Sequence, residues 1–160
     1  MTGKEETFME RTIVQIDHDN EDLHRLIRKL DEDLAERYPN PDDVFTVDFT
    51  DPKVREMVFM VAYIDGVAVG CGAIRPLDET TVELKRFYVD PDYRRQGIAG
   101  MVLASLENKA IAMNRRVMRL EAGAPQPEAL HFYASKGYYE IERFGEYADS
   151  ESSLCYEKVL

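Results

Sequence analysis

The sequence predicts an α+β fold in three layers, α/β/α, around a mixed and mostly antiparallel central sheet of about seven strands. Three observations lead there. Asp65-Gly66 separates two apolar runs, Met57 to Ile64 and Val67 to Arg75. An Asp-Gly pair suits the positive φ values of a tight type I′ turn, so the runs read as an antiparallel hairpin. Val82 to Val89 carries β-branched and aromatic residues on both faces, as a strand covered on both sides of a sheet does. Asp90-Pro91 ends that strand, and Ile98, Met101, Val102, Leu106, Ala110 and Met113 then recur at helical spacing, so a long helix starts at or close to Gly97.

The other elements follow in order. Residues 1 to 10 read as a polar, flexible leader. Thr12 to Asp17 alternates as a short strand would, and Asp19 or Asn20 can cap the helix after it. Leu23, Leu26, Ile27, Leu30 and Leu34 form the buried stripe of that helix, and Pro39 and Pro41 close it. Pro76 to Thr80 turns the chain into the strand from Val82. The helix from Gly97 runs to about Asn114, and Val117 to Ala122 is another strand. Pro127 suits a first helical position, with the helix running to Lys136 and Gly137 as its stop. Tyr138 to Arg143 and Ser153 to Val159 complete the sheet. The predicted order is β α β β β α β α β β, with one parallel crossover about each of the two later helices. Repeats, low-complexity tracts and linkers are lacking, so residues 1–160 are expected to form one domain.

Composition narrows the function. A chain of 160 residues with 44% hydrophobic content can bury a sizeable core. It holds neither a stretch of about 18 apolar residues nor an apolar signal region, so a cytoplasmic protein without a membrane partner is expected. The net charge of −11 and pI near 4.7 argue against nucleic acid as a partner. The basic residues Lys85, Arg86, Arg94, Arg95, Arg115, Arg116 and Arg119 nevertheless concentrate in the central third, a pattern that suits an anionic cofactor in an acidic protein. Cys71 and Cys155 fall in predicted strands without metal-ligand spacing, and His18, His24 and His131 show no zinc pairing, so no metal is expected.

A helix N-terminus presents unpaired N–H groups and about half a positive charge, which makes it an anion site. Arg94-Arg95-Gln96-Gly97-Ile98-Ala99 has what such a site needs, because Gly97 has no Cβ to hold a phosphate oxygen away and Ala99 is nearly as small. This hexad resembles Arg/Gln-x-x-Gly-x-Gly/Ala, the pyrophosphate loop of the GNAT superfamily of acetyl-CoA-dependent N-acetyltransferases. The run from Gln126 to Tyr138 resembles a second element of that family, Asn-x-x-Ala-x-x-x-Tyr-x-x-x-Gly-Phe/Tyr. Phe144-Gly145-Glu146-Tyr147 ahead of the last strand looks like a bacterial, small-molecule-type subgroup. The likeness covers Met57 to Leu160; the first 56 residues fit by element order only.

The resemblance implies the GNAT acyl-CoA N-acyltransferase fold, acetyl-CoA as co-substrate, and an amine acceptor. It implies that Phe87, Tyr88 and Val89 on the central strand, Arg94, Arg95, Gln96, Gly97, Ile98, Ala99 and Gly100 in the loop and first helical turn, and Gln126 hold the cofactor. Gln126 departs from the usual Asn, which hydrogen-bonds the pantetheine arm in the family, by one methylene and keeps the amide. Tyr133 falls on the family's phenol beside the cofactor sulfur, where it can protonate a leaving thiolate. An alkylammonium must lose a proton before attack, and Glu83 and Glu121 match the carboxylates that different members use for this; Glu83 is preferred. Strand alternation places Glu83, Lys85, Phe87 and Val89 on one face. By resemblance, Asn40 to Lys53 borders the acceptor, with Val44, Phe45, Val47 and Phe49 as candidate lining, and Pro52 to Glu56 takes the family's second short helix. Tyr147 borders the acceptor side, with packing as its expected role. The acceptor reads as a small-molecule amine or amino acid. A protein lysine or N-terminus as acceptor, a non-catalytic acetyl-CoA sensor, and an acidic structural subunit are the alternatives. Oligomeric state is open, a homodimer included.

Overall fold

The computed structural model describes residues 9–160; the leader expected at 1 to 10 falls largely outside them. Seven strands form one sheet in the order β1-β2-β3-β4-β5-β7-β6. They are β1 (Arg11–Ile16), β2 (Val58–Ile64), β3 (Val67–Pro76), β4 (Thr81–Val89), β5 (Val117–Gly123), β6 (Tyr139–Ile141) and β7 (Ser153–Val159). The first four pair antiparallel with their neighbours, β4 and β5 are parallel, and β7 is antiparallel to both β5 and β6. Asp65 and Gly66 both take positive φ, as the hairpin turn requires.

Helix α1 (Glu21–Arg37) covers one face of the sheet, capped by the Asn20 side chain accepting from the Leu23 amide. Its five predicted leucine and isoleucine positions are buried in a cluster with Phe59, Val61, Cys71, Ala73 and Tyr88. Helix α2 (Ile98–Ala112) and the short α3 (Pro127–Ser135) cover the other face, where Val102, Leu103, Leu106 and Tyr133 pack with Ile74, Val82, Leu84, Met118 and Leu120. Pro52–Glu56 forms a short 3-10 helix at the predicted place, and further 3-10 turns lie at Pro41–Asp43, Pro91–Tyr93 and Gly145–Tyr147. Cys71 and Cys155 are free and buried.

The crossovers through α2 and α3 both join parallel strands, as expected; β7 inserts between β5 and β6, so only the first joins neighbours. One expectation changes: the even alternation of β4 fails. Cys71 pairs with Tyr88 and Ala73 with Lys85, so two β4 residues, Arg86 and Phe87, stand opposite Gly72 alone. Arg86 carries a φ of 52° at this bulge. The extra residue turns Phe87 and Val89 toward the α2 cluster while Glu83 and Lys85 stay on the α1 side, so the four do not share a face.

Candidate active site

The parallel pairing of β4 and β5 is short. It joins Thr81 to Val117, Val82 to Met118 and Glu83 to Arg119, and beyond Glu83 neither strand has a partner on that side. The two strands diverge, and the gap opens in the middle of the sheet. Backbone groups there have lost a ladder, so the gap is built to receive hydrogen-bonding groups from outside the chain. Leu84 to Phe87 on one side and Leu120 to Ala122 on the other line a pocket in this gap, roofed from the α1 side by Leu30, Leu34, Tyr38 and Val44 with Phe45. Val47 and Phe49 instead pack on the α1-side core, so the 40–53 loop divides its apolar residues between pocket and core.

On the α2 side the gap continues into a cleft of about 730 Å³. Phe87, Tyr88 and Val89 line its β4 wall, and Arg94, Arg95, Gly97, Ile98, Ala99 and Gly100 line the end at the start of α2. Gly97 is the N-cap of α2 with a φ of 80°, which leaves the first-turn amides open toward the cleft. Arg95 also has positive φ, and Arg94 is tied back by donating from Nε to the Val89 carbonyl at 3.0 Å. Gln96 does not line the cleft; its carbonyl accepts from the Arg11 guanidinium on β1. Arg37 and Lys136 line the cleft as well, and neither stood out in the sequence. Lys136 Nζ lies 3.5 Å from where a Cβ on Gly100 would sit, so a second cation faces the first turn of α2. The only sequence signal for Lys136 is its place beside the helix stop at Gly137.

Pocket and cleft meet at four residues: Leu30, Phe87, Gln126 and Tyr133. Tyr133 is 6% exposed, and burial, then the Glu121 charge, hold its phenol above the ordinary value, so the hydroxyl stays protonated. Its ring lies 6.0 Å from that of Phe87. Gln126 accepts at Oε1 from the Tyr38 hydroxyl at 2.8 Å.

The two candidate carboxylates have different surroundings. Glu83 is fully buried. One of its oxygens accepts from Arg75 Nε at 2.8 Å and lies 2.7 Å from Arg75 Nη2; the other accepts from the Tyr147 hydroxyl. Lys85 stands 3.8 Å away and donates to Tyr147 at 2.7 Å and to Glu146 at 3.3 Å. Tyr147 is thus buried in a polar network below the pocket it also lines, with Phe45 edge-on to its ring at 4.8 Å. Glu121 lines the pocket on β5, outside that set of ion pairs. Burial pushes its carboxyl up to about 7, against the opposing pull of Lys85 and the Ser153 side chain.

Among the described residues no group of three or more His, Cys, Asp or Glu is placed to hold a metal ion, and no helix is long and apolar enough to cross a membrane. Residues 20–138 match the Acetyltransferase (GNAT) family. An IAA acetyltransferase from Azospirillum brasilense is 32% identical over 137 residues, covering 85% of this chain and 89% of the relative. A crystal structure described as an acyl-CoA N-acyltransferase from Klebsiella pneumoniae superposes with a TM-score of 0.81 at 31% identity, over 94% of this chain and 97% of that one. A GNAT family acetyltransferase from Elizabethkingia anophelis, solved with acetyl-CoA bound, shares the fold at a TM-score of 0.70 and 17% identity, over 94% and 98% of the two chains.

Proposed function

The chain belongs to the GNAT family and is an acetyl-CoA-dependent N-acetyltransferase, and we propose that it transfers the acetyl group directly, in a ternary complex, to a primary amine of a small molecule or amino acid. The observation that carries this reading is the divergence of β4 and β5 beyond Glu83, which joins a small pocket to a long cleft with Tyr133 at the junction. The cleft fits acetyl-CoA. The α2 N-terminus, Arg95 and Lys136 suit its pyrophosphate, and the unpaired β4 edge at Phe87 to Val89 suits its amide-containing arm.

The co-substrate supplies an activated acyl group; this chain's residues align it and move protons. We assign the base to Glu121 rather than Glu83. A base works best with a pKa near the operating pH, and burial puts Glu121 there. Both oxygens of Glu83 already have partners. The ammonium of the acceptor gives its proton to Glu121. The amine nitrogen then bonds to the acetyl carbon, the oxygen of which is stabilised by the Phe87 amide. As the carbon–sulfur bond breaks, Tyr133 donates its proton to the sulfur, and the second proton of the former amine nitrogen passes to the phenolate, leaving the neutral amide and a restored Tyr133.

The small pocket, of about 80 Å³, and its mixed lining of Asp43, Glu121 and Lys85 among apolar side chains favour a small acceptor over a peptide. The free buried thiols suit a reducing compartment, in line with a cytoplasmic site of action. The test is CoA release from acetyl-CoA across a panel of amines, amino acids and one basic peptide, with Tyr133→Phe alongside. Turnover with small amines, reduced roughly 100-fold or more in the variant, supports the reading. Turnover with the peptide alone would move the acceptor to a protein, and tight acetyl-CoA binding without turnover would make the chain a sensor.

A further inference from the structure

Gln126 is the position where this chain departs from the usual asparagine, and the side chain on its far side has no counterpart in the sequence motifs. The C-terminal end of α1 is clasped to the loop between β5 and α3 by adjacent residues. Arg37 donates to the Pro125 carbonyl at 3.1 Å and to Glu128 at 2.8 Å, and Tyr38 donates to Gln126. Tyr38 is 6% exposed, and its hydroxyl reaches Gln126 by passing close over β5 at Gly123. A Cβ on Gly123 would lie 2.6 Å from the Tyr38 hydroxyl and 3.2 Å from its ring. Gly123 does not have positive φ, so what calls for glycine there is space: Tyr38 stands closest, and the Ser152 carbonyl lies 3.1 Å from the same point.

We propose that Tyr38 is a positioning residue for the cofactor: by holding the carbonyl end of the Gln126 side chain, it turns the amide NH2 toward the cleft as a donor to a carbonyl of the pantetheine arm. This rests on the reading of the cleft as the acetyl-CoA site. Glutamine has one more rotatable bond than asparagine, and an unheld amide would lose that freedom on binding. The clasp removes the freedom beforehand and fixes which end of the amide faces the co-substrate. A buried phenol suits the task because it stays an O–H donor: burial, then the Glu121 charge, push Tyr38 up to about 12, against a smaller pull from the Gly123 amide. Among the described residues the Gln126 Nε2 donates to nothing, while Gln126 lines both the acceptor pocket and the cleft.

The test is calorimetric titration of acetyl-CoA into the wild type, Tyr38→Phe, Gln126→Ala and the double variant, with steady-state kinetics on the same four proteins. Tyr38→Phe keeps the ring and the packing and removes only the hydroxyl. It should weaken acetyl-CoA binding about threefold to tenfold, the worth of one neutral hydrogen bond. KM for acetyl-CoA should rise by the same factor with kcat within about twofold, a split that general loosening of the fold would not give. The double variant should bind no worse than Gln126→Ala, because the phenol acts only through the amide. Wild-type affinity in Tyr38→Phe, or additive losses in the double variant, would overturn the proposal while leaving the site reading intact. A wild type that binds no acetyl-CoA would remove both.

Discussion

Glu83 and Glu121 lie on neighbouring strands, one at the last paired position of β4 and the other past the point where β5 has parted from it. Glu83 is fully buried and Glu121 half-buried, two acids in a chain with 31 of them, and local sequence does not separate them. The structure does. Glu83 meets Arg75, Tyr147 and, farther off, Lys85, so its charge is matched on every side. Glu121 faces the pocket and pays desolvation without an ion pair of its own, which lifts its carboxyl to about 7. A paired acid holds a structure together, whereas an unpaired one is available to move a proton.

The largest effect should come from removing the unpaired acid. Glu121→Gln keeps the shape and should lower kcat/KM about 100-fold or more at pH 8, with the thermal midpoint unchanged or raised. A loss below tenfold would return the base to Glu83. Glu83→Gln should act on the fold instead. It leaves Lys85 and Arg75 short of a partner, and because Arg75 is one-third exposed we expect a cost of about 2 to 3 kcal/mol in urea unfolding. If Glu83→Gln unfolds like the wild type but is inactive, the two roles are exchanged.

The wild-type pH profile sharpens the same contrast. With Glu121 as base, kcat/KM should fall tenfold per pH unit below about 7, and Glu121→Gln should lack that limb. The smallest effect is on stability. A carboxyl raised in the folded state binds more protons than the unfolded chain does, so its contribution is fully present below its unfolded value and is lost as pH rises toward and through about 7. Unfolding free energy measured between pH 5 and pH 8 should therefore decline less steeply in Glu121→Gln than in the wild type.

What could be read from the sequence was local. The Asp65-Gly66 turn, the five-residue stripe of α1 and the start of α2 at Gly97 each depend on residues within a turn or two, and each stands where expected. The spacing from Gln126 to Tyr133 is local as well, and in the structure Tyr133 lies where pocket and cleft meet. What could not be read depends on partners far along the chain. Tyr147 lies 64 residues from Glu83 and Gln126 lies 88 from Tyr38, so neither the saturation of one acid nor the clasp on the amide leaves a local trace. The bulge at Arg86 and Phe87 is set by the register against β3, and it took Phe87 and Val89 off the face that simple alternation assigned them.

The insertion of β7 between β5 and β6 bears on the order in which the molecule can be made. A nascent chain that has emerged as far as Gly123 offers β5 only three paired positions on β4, and its main neighbour lies thirty residues further along. The N-terminal hairpins and α1 can assemble early, since the α1-side core cluster lies wholly within the first ninety residues, and α2 follows to cover the other face. The wall bearing Glu121 must wait until residues 153–159 have been synthesised and paired with β5 on one side and β6 on the other. A ribosome-stalled chain ending before them should carry a folded amino half and no working active site.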